Sequence, residues 1–167
     1  MAKELLILRH GKSSWEIACD EFHRPLKKHG KQGAKQIGLW VQQQQLVPDL
    51  ILSSPAVRAI ETAKRCAKAM GLSEKKIQTE PRIYEAHFTT LMALLQACPP
   101  QIQRVMLVGH NPSLEDLLRH LVHYSLPDTA KLLPTAAMAH LTLQAQWSQT
   151  RLGGATLHQL ILPSSLG

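Results

Sequence analysis

The sequence predicts an α/β protein of three layers, with helices on both faces of a mostly parallel sheet. Two observations carry that prediction. Short apolar runs recur along the chain and each stops abruptly at a polar or glycine-containing turn. Between them lie stretches whose apolar residues step by three and four, the spacing of helices. Such alternation of strands and helices favours parallel strands with helical crossovers, an α/β/α sandwich. With 167 residues the chain suits one domain, 1–167, around a single core.

In order, Glu4-Leu5-Leu6-Ile7-Leu8 reads as a buried strand ending at Arg9-His10-Gly11. A helix is expected over about residues 31–45, with Ala34, Ile37 and Val41 on one face and a solvated Gln42-Gln43-Gln44-Gln45 end. Residues 49–52 form a second strand, stopping at Ser53-Ser54-Pro55. The following helix carries Ile60, Ala63, Ala67 and Met70 on its apolar face, with Ser54 as the candidate N-cap and Pro55 at its first position. Phe88, Leu91, Leu95 and Cys98 mark a third helix, and residues 105–108 a third strand ending at Gly109-His110-Asn111-Pro112. Ser113 is a cap candidate for a fourth helix bearing Leu114, Leu117, Leu118 and Leu121, with Glu115 and Asp116 in its first turn. Residues 138–143 and 156–162 read as two further strands around a Gly153-Gly154 loop.

Composition excludes several classes. The charged fraction of 19% and hydrophobic fraction of 44% fit a globular chain rather than a disordered one. No window approaches the roughly 18 apolar residues of a membrane helix. The N-terminus lacks the apolar region and cleavage site of a signal peptide, so a cytoplasmic location is expected. Cys19, Cys66 and Cys98 match no metal or CxxC spacing and read as reduced thiols. The net charge of +7 favours anionic partners. There is no basic run with interleaved aromatics, so a diffuse basic surface is expected and nucleic acid is not.

In an open α/β sheet, ligands bind beyond the carboxyl ends of the strands. Arg9, His10, Arg58, Glu85 and His110 all fall there. Singly, each has an ordinary explanation as a loop, turn or solvated helix residue. Together they form a phosphate-handling set. Arginines offer forked, permanently charged donors, histidines a nucleophile and a second donor, and a carboxylate a proton. Arg9 and His10 share a pocket only if the chain turns, and Gly11 makes that turn cheap.

Three segments, Leu8-Arg9-His10-Gly11-Lys12-Ser13-Ser14-Trp15, Ser53-Ser54-Pro55-Ala56-Val57-Arg58-Ala59-Ile60-Glu61-Thr62-Ala63 and Val108-Gly109-His110-Asn111-Pro112, resemble the signatures of the histidine phosphatase superfamily. The resemblance runs from residue 5 to at least 118 and implies the phosphoglycerate mutase-like fold. It also implies that His10 attacks phosphorus to give a phosphohistidine intermediate, that Arg9, Arg58, Ser13 and His110 hold the phosphoryl group, and that Glu85 protonates the leaving oxygen. Glu16 stands where the mutases carry Asn and is expected to point away from phosphate. No metal or cofactor is implied. His120 and His123 share a helix without an acidic or Cys partner and read as surface residues.

The family's mutases and acid phosphatases carry large insertions between the equivalents of Glu85 and His110, and this chain has room there for one helix and one strand only. A shallow, open pocket is therefore expected, as in the SixA-type phosphohistidine phosphatases, which the chain also resembles in length and in Arg24-Pro25-Leu26. The expected partner is a phosphorylated protein, a histidine-phosphorylated signalling domain among the candidates. The alternatives are a broad small-molecule phosphomonoesterase and a phosphate-binding module without catalysis. The pocket rim is expected in residues 12–29, around His87 and in residues 127–134.

Overall fold

All five apolar runs form strands of one sheet in the computed structural model, which describes residues 2–16, 19–127 and 132–166. The parts of the expected rim at 17–18 and 128–131 lie outside the described residues. The strands are β1 (Lys3–Arg9), β2 (Leu50–Ser53), β3 (Ile77–Thr79), β4 (Arg104–Gly109), β5 (Met138–Leu143) and β6 (Ala155–Ile161). Their order across the sheet is β3-β2-β4-β1-β5-β6. β3, β2, β4 and β1 are parallel, and β5 pairs antiparallel with both β1 and β6. The sheet is thus mostly parallel, with β5 alone reversed. β3 escaped the sequence reading because it has three residues, of which Gln78 and Thr79 are exposed, so no apolar run marks it.

Four α-helices cover the sheet: α1 (Lys28–Gln43), α2 (Val57–Met70), α3 (Phe88–Gln96) and α4 (Ser113–Leu121). Strand alternation sends successive side chains to opposite faces. Leu6 and Leu8 therefore pack with Ala34, Ile37 and Val41 of α1 and with Ala59, Ala63, Ala67 and Met70 of α2. Leu5 and Ile7 pack on the other side with Leu91 and Leu95 of α3 and Leu114, Leu117, Leu118 and Leu121 of α4. Each fully buried leucine contributes about 1.5–3 kcal/mol, so two such layers replace the aromatics the chain lacks. Among the described residues no helix is long and apolar enough to cross a membrane. Cys66 and Cys98 are buried and free, and burial pushes their thiols up to about 12 and about 11, which leaves them unreactive.

Five local expectations are corrected. α1 starts at Lys28, three residues early. Ser54 is not the N-cap of α2; Ala56 is, and Ser54 Oγ is instead occupied by the Ala56 N–H at 3.2 Å and the His110 ring at 2.8 Å. Ser113 is the first residue of α4 rather than its cap, and its hydroxyl donates to the His110 carbonyl at 3.0 Å. α4 ends at Leu121, so His123 does not share a helix with His120. Pro55 is not at the first position of α2, which begins at Val57. At Gly11 a Cβ would lie 2.7 Å from the Gly30 carbonyl oxygen, so the approach of α1 requires glycine there.

The reciprocal contact is tighter still, since a Cβ on Gly30 would lie 2.1 Å from the Lys12 carbonyl oxygen. Backbone has no flexible end to move aside. Gly30→Ala is expected to destabilise the fold by about 1–3 kcal/mol, read as a lowered urea midpoint; an unchanged midpoint contradicts this packing.

Candidate active site

β2, β4 and β1 are neighbours and parallel, with Ser53 opposite Val108 and Arg9 opposite Gly109. The residues that follow leave the sheet side by side, about 4.8 Å apart. Backbone bonds continue the ladder past the strand ends, from Ser54 N–H to the Val108 carbonyl at 3.0 Å and from His10 N–H to the Gly109 carbonyl at 3.1 Å. Two parallel ladders thus place Ser54, His110 and His10 in a row. The His10 and His110 rings lie 5.2 Å apart, centroid to centroid.

His10 is buried, and its Nδ1 donates to the Gly11 carbonyl at 2.7 Å. With the proton held on Nδ1, the Nε2 lone pair is free. Burial pushes the imidazole down to about 3, partly countered by the Gly11 carbonyl and reinforced by His110, Arg58 and Arg9. The ring is therefore neutral at neutral pH, the state a nucleophile requires. His110 is pushed down to about 4 by burial and by Arg58 and Arg9, with Glu21 opposing. Its Nε2 meets Ser54 Oγ, which already accepts the Ala56 N–H and has its own proton to give. Donation to Nε2 puts the His110 proton on Nδ1. Tyr84 stands edge-on to this ring at 5.7 Å.

A groove of about 800 Å³, counting the solvent at its mouth, is lined by Arg9, His10, Ser13, Arg58 and His110. The structure thus brings together every expected site residue except Glu85. That residue is exposed, follows Tyr84 with a left-handed backbone (φ 56), and is not part of the groove lining. Glu16 is also exposed and outside it, in keeping with the expectation that it points away. His87 caps α3 through Nδ1, 3.3 Å from the Thr89 N–H, and takes no part in the rim.

Lys12, Trp15, Glu21, Arg24, Lys27, Asn111 and Thr135 line the groove as well. Lys12, Trp15, Glu21, Arg24 and Lys27 fall in the 12–29 stretch expected to form the rim, whereas Asn111 and Thr135 had no expected role. Arg24 reaches the site because two segments pair: Ser14 N–H bonds the Pro25 carbonyl and Lys27 N–H the Lys12 carbonyl, both at 2.8 Å. Its guanidinium donates to Ser13 Oγ and packs over Trp15, 3.8 Å from the ring centroid. Glu21 pairs with Arg24 at 2.6 Å and with Arg58 at 3.3 Å. The hydrogen bond from Arg24 holds the Glu21 carboxyl below its usual range. The one acid lining the groove among the described residues is therefore ionised.

Arg9 Nε, Arg58 Nε and His110 Nδ1 are buried and have no hydrogen-bond partner among the described residues. A buried donor without a partner costs about 1–3 kcal/mol. Asn111 Oδ1, an acceptor on the same groove, is likewise buried and unpartnered, but donors outnumber it and two of them are on cations, which favours an anion with several acceptor oxygens. Burial lowers both arginines, Glu115 countering near Arg9 and Glu21 near Arg58. Arg9 is also held by the Leu133 carbonyl at 3.2 Å, and Leu133 N–H by Glu115 at 2.7 Å.

The sequence profile of the histidine phosphatase superfamily (branch 1) matches residues 5–97, and the chain belongs to that superfamily. Its members are hydrolases or mutases acting on phosphate esters. Within it the resemblance is to the SixA type. Phosphohistidine phosphatase SixA of Escherichia coli (strain K12) is 26% identical over 150 residues, covering 88% of this chain and 89% of that protein. The structure of the protein histidine phosphatase SixA complexed with tungstate superimposes with a TM-score of 0.83 at 24% identity, over 98% of this chain and 99% of the other. A chloroplastic protein of Arabidopsis thaliana is 29% identical over 127 residues, 70% of this chain but 57% of its own length. The chain thus spans little more than half of that relative.

Because both imidazoles are pushed below the ordinary histidine value of about 6.5, the unfolded chain takes up protons first as pH falls. Their contribution to stability is complete above about 6.5 and is lost toward about 4 and about 3. Long-range nitrogen–proton NMR spectra of the free protein are expected to show His10 neutral, with its proton on Nδ1, at pH 5.5. An imidazolium signal from His10 at that pH contradicts the burial argument.

Proposed function

We propose that the protein is a phosphatase with His10 as its nucleophile, and that its substrate is a histidine-phosphorylated protein. The observation that supports this most is a free Nε2 lone pair on a neutral, anchored His10 beside three buried, unpartnered donors. His10 Nε2 attacks phosphorus, the bond from phosphorus to the substrate's leaving atom breaks, and the phosphoryl group rests on His10. Water then attacks the same phosphorus, releasing inorganic phosphate and restoring the lone pair. Arg9, Arg58, Ser13 and His110 bear on the phosphoryl oxygens, where charge grows in the transition state.

Two features favour phosphohistidine as the substrate. The groove-lining acid, Glu21, is held ionised by Arg24 and is a poor proton donor, while Glu85 is outside the groove. An imidazole leaving group needs less protonation than an alkoxide, so such a site suits it. The second feature is access. Between Glu85 and His110 the chain is taken up by α3, β4 and their short connections, with no inserted segment there to close over a small substrate. The relative named Phosphohistidine phosphatase SixA fits the same reading.

The test is a comparison of kcat/KM on an aryl phosphate, an alkyl phosphate and a phosphohistidine peptide. His10→Ala is expected to lose at least about 10⁴-fold on all three, while a chelator leaves the wild type active. Appreciable turnover by His10→Ala overturns the nucleophile assignment, and vanadate binding without any turnover by the wild type points to a binding module. Because Glu85 is exposed and outside the groove lining, Glu85→Gln is expected to leave kcat/KM on all three substrates within about twofold of wild type. A loss of more than about 10-fold on the alkyl phosphate makes Glu85 a proton donor and contradicts the leaving-group argument.

A further inference from the structure

The net charge of +7 is not spread over the surface as composition suggests. α1 carries three lysines and no acid, and α2 carries Arg58, Lys64, Arg65 and Lys68 against Glu61. These two helices therefore hold a surplus of six on one face of the sheet. On the opposite face α3 has no charged residue, and α4 has Glu115 and Asp116 against Arg119. Like charges crowded together destabilise a fold, so this concentration asks for a function.

The two helices meet closely at Gly38, where a Cβ would lie 2.6 Å from the Cys66 carbonyl oxygen. Beside this crossing a cleft of about 670 Å³ is lined by Lys35, Leu39, Arg65, Lys68 and Ala69. Its apolar part is Leu39, which is 39% exposed, and its sides are cationic. Lys64, Arg65 and Lys68 continue past it, facing Glu61 and Glu74. None of Lys35, Lys64, Arg65 and Lys68 has an ion pair among the described residues, and the Glu61 carboxylate accepts the Leu26 N–H. Both helices begin at the active-site groove, which Lys27 and Arg58 line. At 1.5 Å per residue, Lys35 and Lys68 lie about 12–15 Å along the helices from it.

We propose that the α1–α2 cleft is a docking surface for an acidic, leucine-bearing segment of the protein whose phosphoryl group enters the groove. The proposal rests on the reading of the substrate as a phosphoprotein. Carboxylates meet the lysines and Arg65, and an apolar side chain meets Leu39. The segment stands away from the phosphorylated residue by a distance only a macromolecule spans. A nucleic acid fits less well, because no exposed aromatic residue lies in the cleft to stack on a base. Docking of this kind acts on KM and on association rate, and weakens as salt screens it over about 8 Å at physiological ionic strength.

The experiment measures fluorescence anisotropy with an unphosphorylated Glu/Leu peptide and a control in which Gln replaces each Glu. The wild type is expected to bind the acidic peptide at least about 10-fold more tightly than the control, with the difference lost at high salt. Lys35→Glu/Arg65→Glu/Lys68→Glu is expected to abolish the preference, and the milder set with Gln at the same positions to reduce it. Both variants are expected to hydrolyse an aryl phosphate within about twofold of wild type, because the cleft is remote from His10. Equal binding of the two peptides, an unchanged preference in both variants, or tighter capture of duplex DNA or phosphatidylserine vesicles through these cations overturns the proposal. Loss of aryl phosphate turnover by the wild type itself sinks the phosphatase reading instead, while the peptide measurement still judges the cleft.

Discussion

Parallel pairing of β2 and β1 on either side of β4, in a fixed register, is the constraint on which the site depends. A sheet repeats every 4.8 Å or so between strands, and the ladder carries this spacing one residue past each strand end. Ser54, His110 and His10 inherit it. A one-residue slip of β1 would turn His10 to the other face and put Arg9 in its place. Leu5 through Leu8 are apolar on both faces and do not by themselves forbid the slip; the start of β1 does, because Glu4 pairs with Arg104 and the buried Lys3 donates to the Pro100 and Ile102 carbonyls. Polar contacts at one end of the strand thereby help to set the position of single nitrogen atoms at the other.

The second requirement is a proton in the right place. Burial strips the charge from His10, with smaller help from His110, Arg58 and Arg9, while the Gly11 carbonyl fixes the remaining proton on Nδ1. The arginines themselves need partners, and Glu21 supplies one for Arg58 and Arg24. Gly11 is tied in turn to α2 through its N–H, 2.9 Å from Thr62 Oγ1, whose own hydroxyl donates to the Arg58 carbonyl at 2.7 Å. The loop bearing His10 and the helix bearing Arg58 are thus one hydrogen-bonded unit. Positive charge in excess of the carboxylates present is the common feature of the groove, where Glu21 stands against Arg9, Arg24 and Arg58, and of the α1–α2 face, where Glu61 and Glu74 stand against Lys64, Arg65 and Lys68.

Much of this was legible in the sequence because the strongest signals are periodic or abrupt. Five strands announced themselves as apolar runs with sharp ends, and α4 through Leu114, Leu117, Leu118 and Leu121. β3 was not legible, since its fit to the sheet edge rests on backbone pairing with β2 rather than on side chains. Ser54 and Ser113 were misread for a related reason: local rules favour capping, but His110 competes for both hydroxyls. The groove's Arg24 and Glu21 come from a segment that joins the site through a pairing of residues 12–14 with 25–27, which no spacing rule reveals. Arg9, His10, Arg58 and His110 were legible because each ends a strand, directly follows one or lies in the first turn of the helix after one.

The central claim is that a neutral His10, with Nε2 free, accepts the phosphoryl group. The most direct measurement is rapid quenching of the wild type under basic conditions during turnover, followed by peptide mass spectrometry and phosphorus NMR. The account predicts an acid-labile phosphoryl group on His10, attached at Nε2, that forms and decays at rates compatible with turnover. Phosphate on another residue, attachment at Nδ1, or turnover with no phosphorylated enzyme at any time would contradict it.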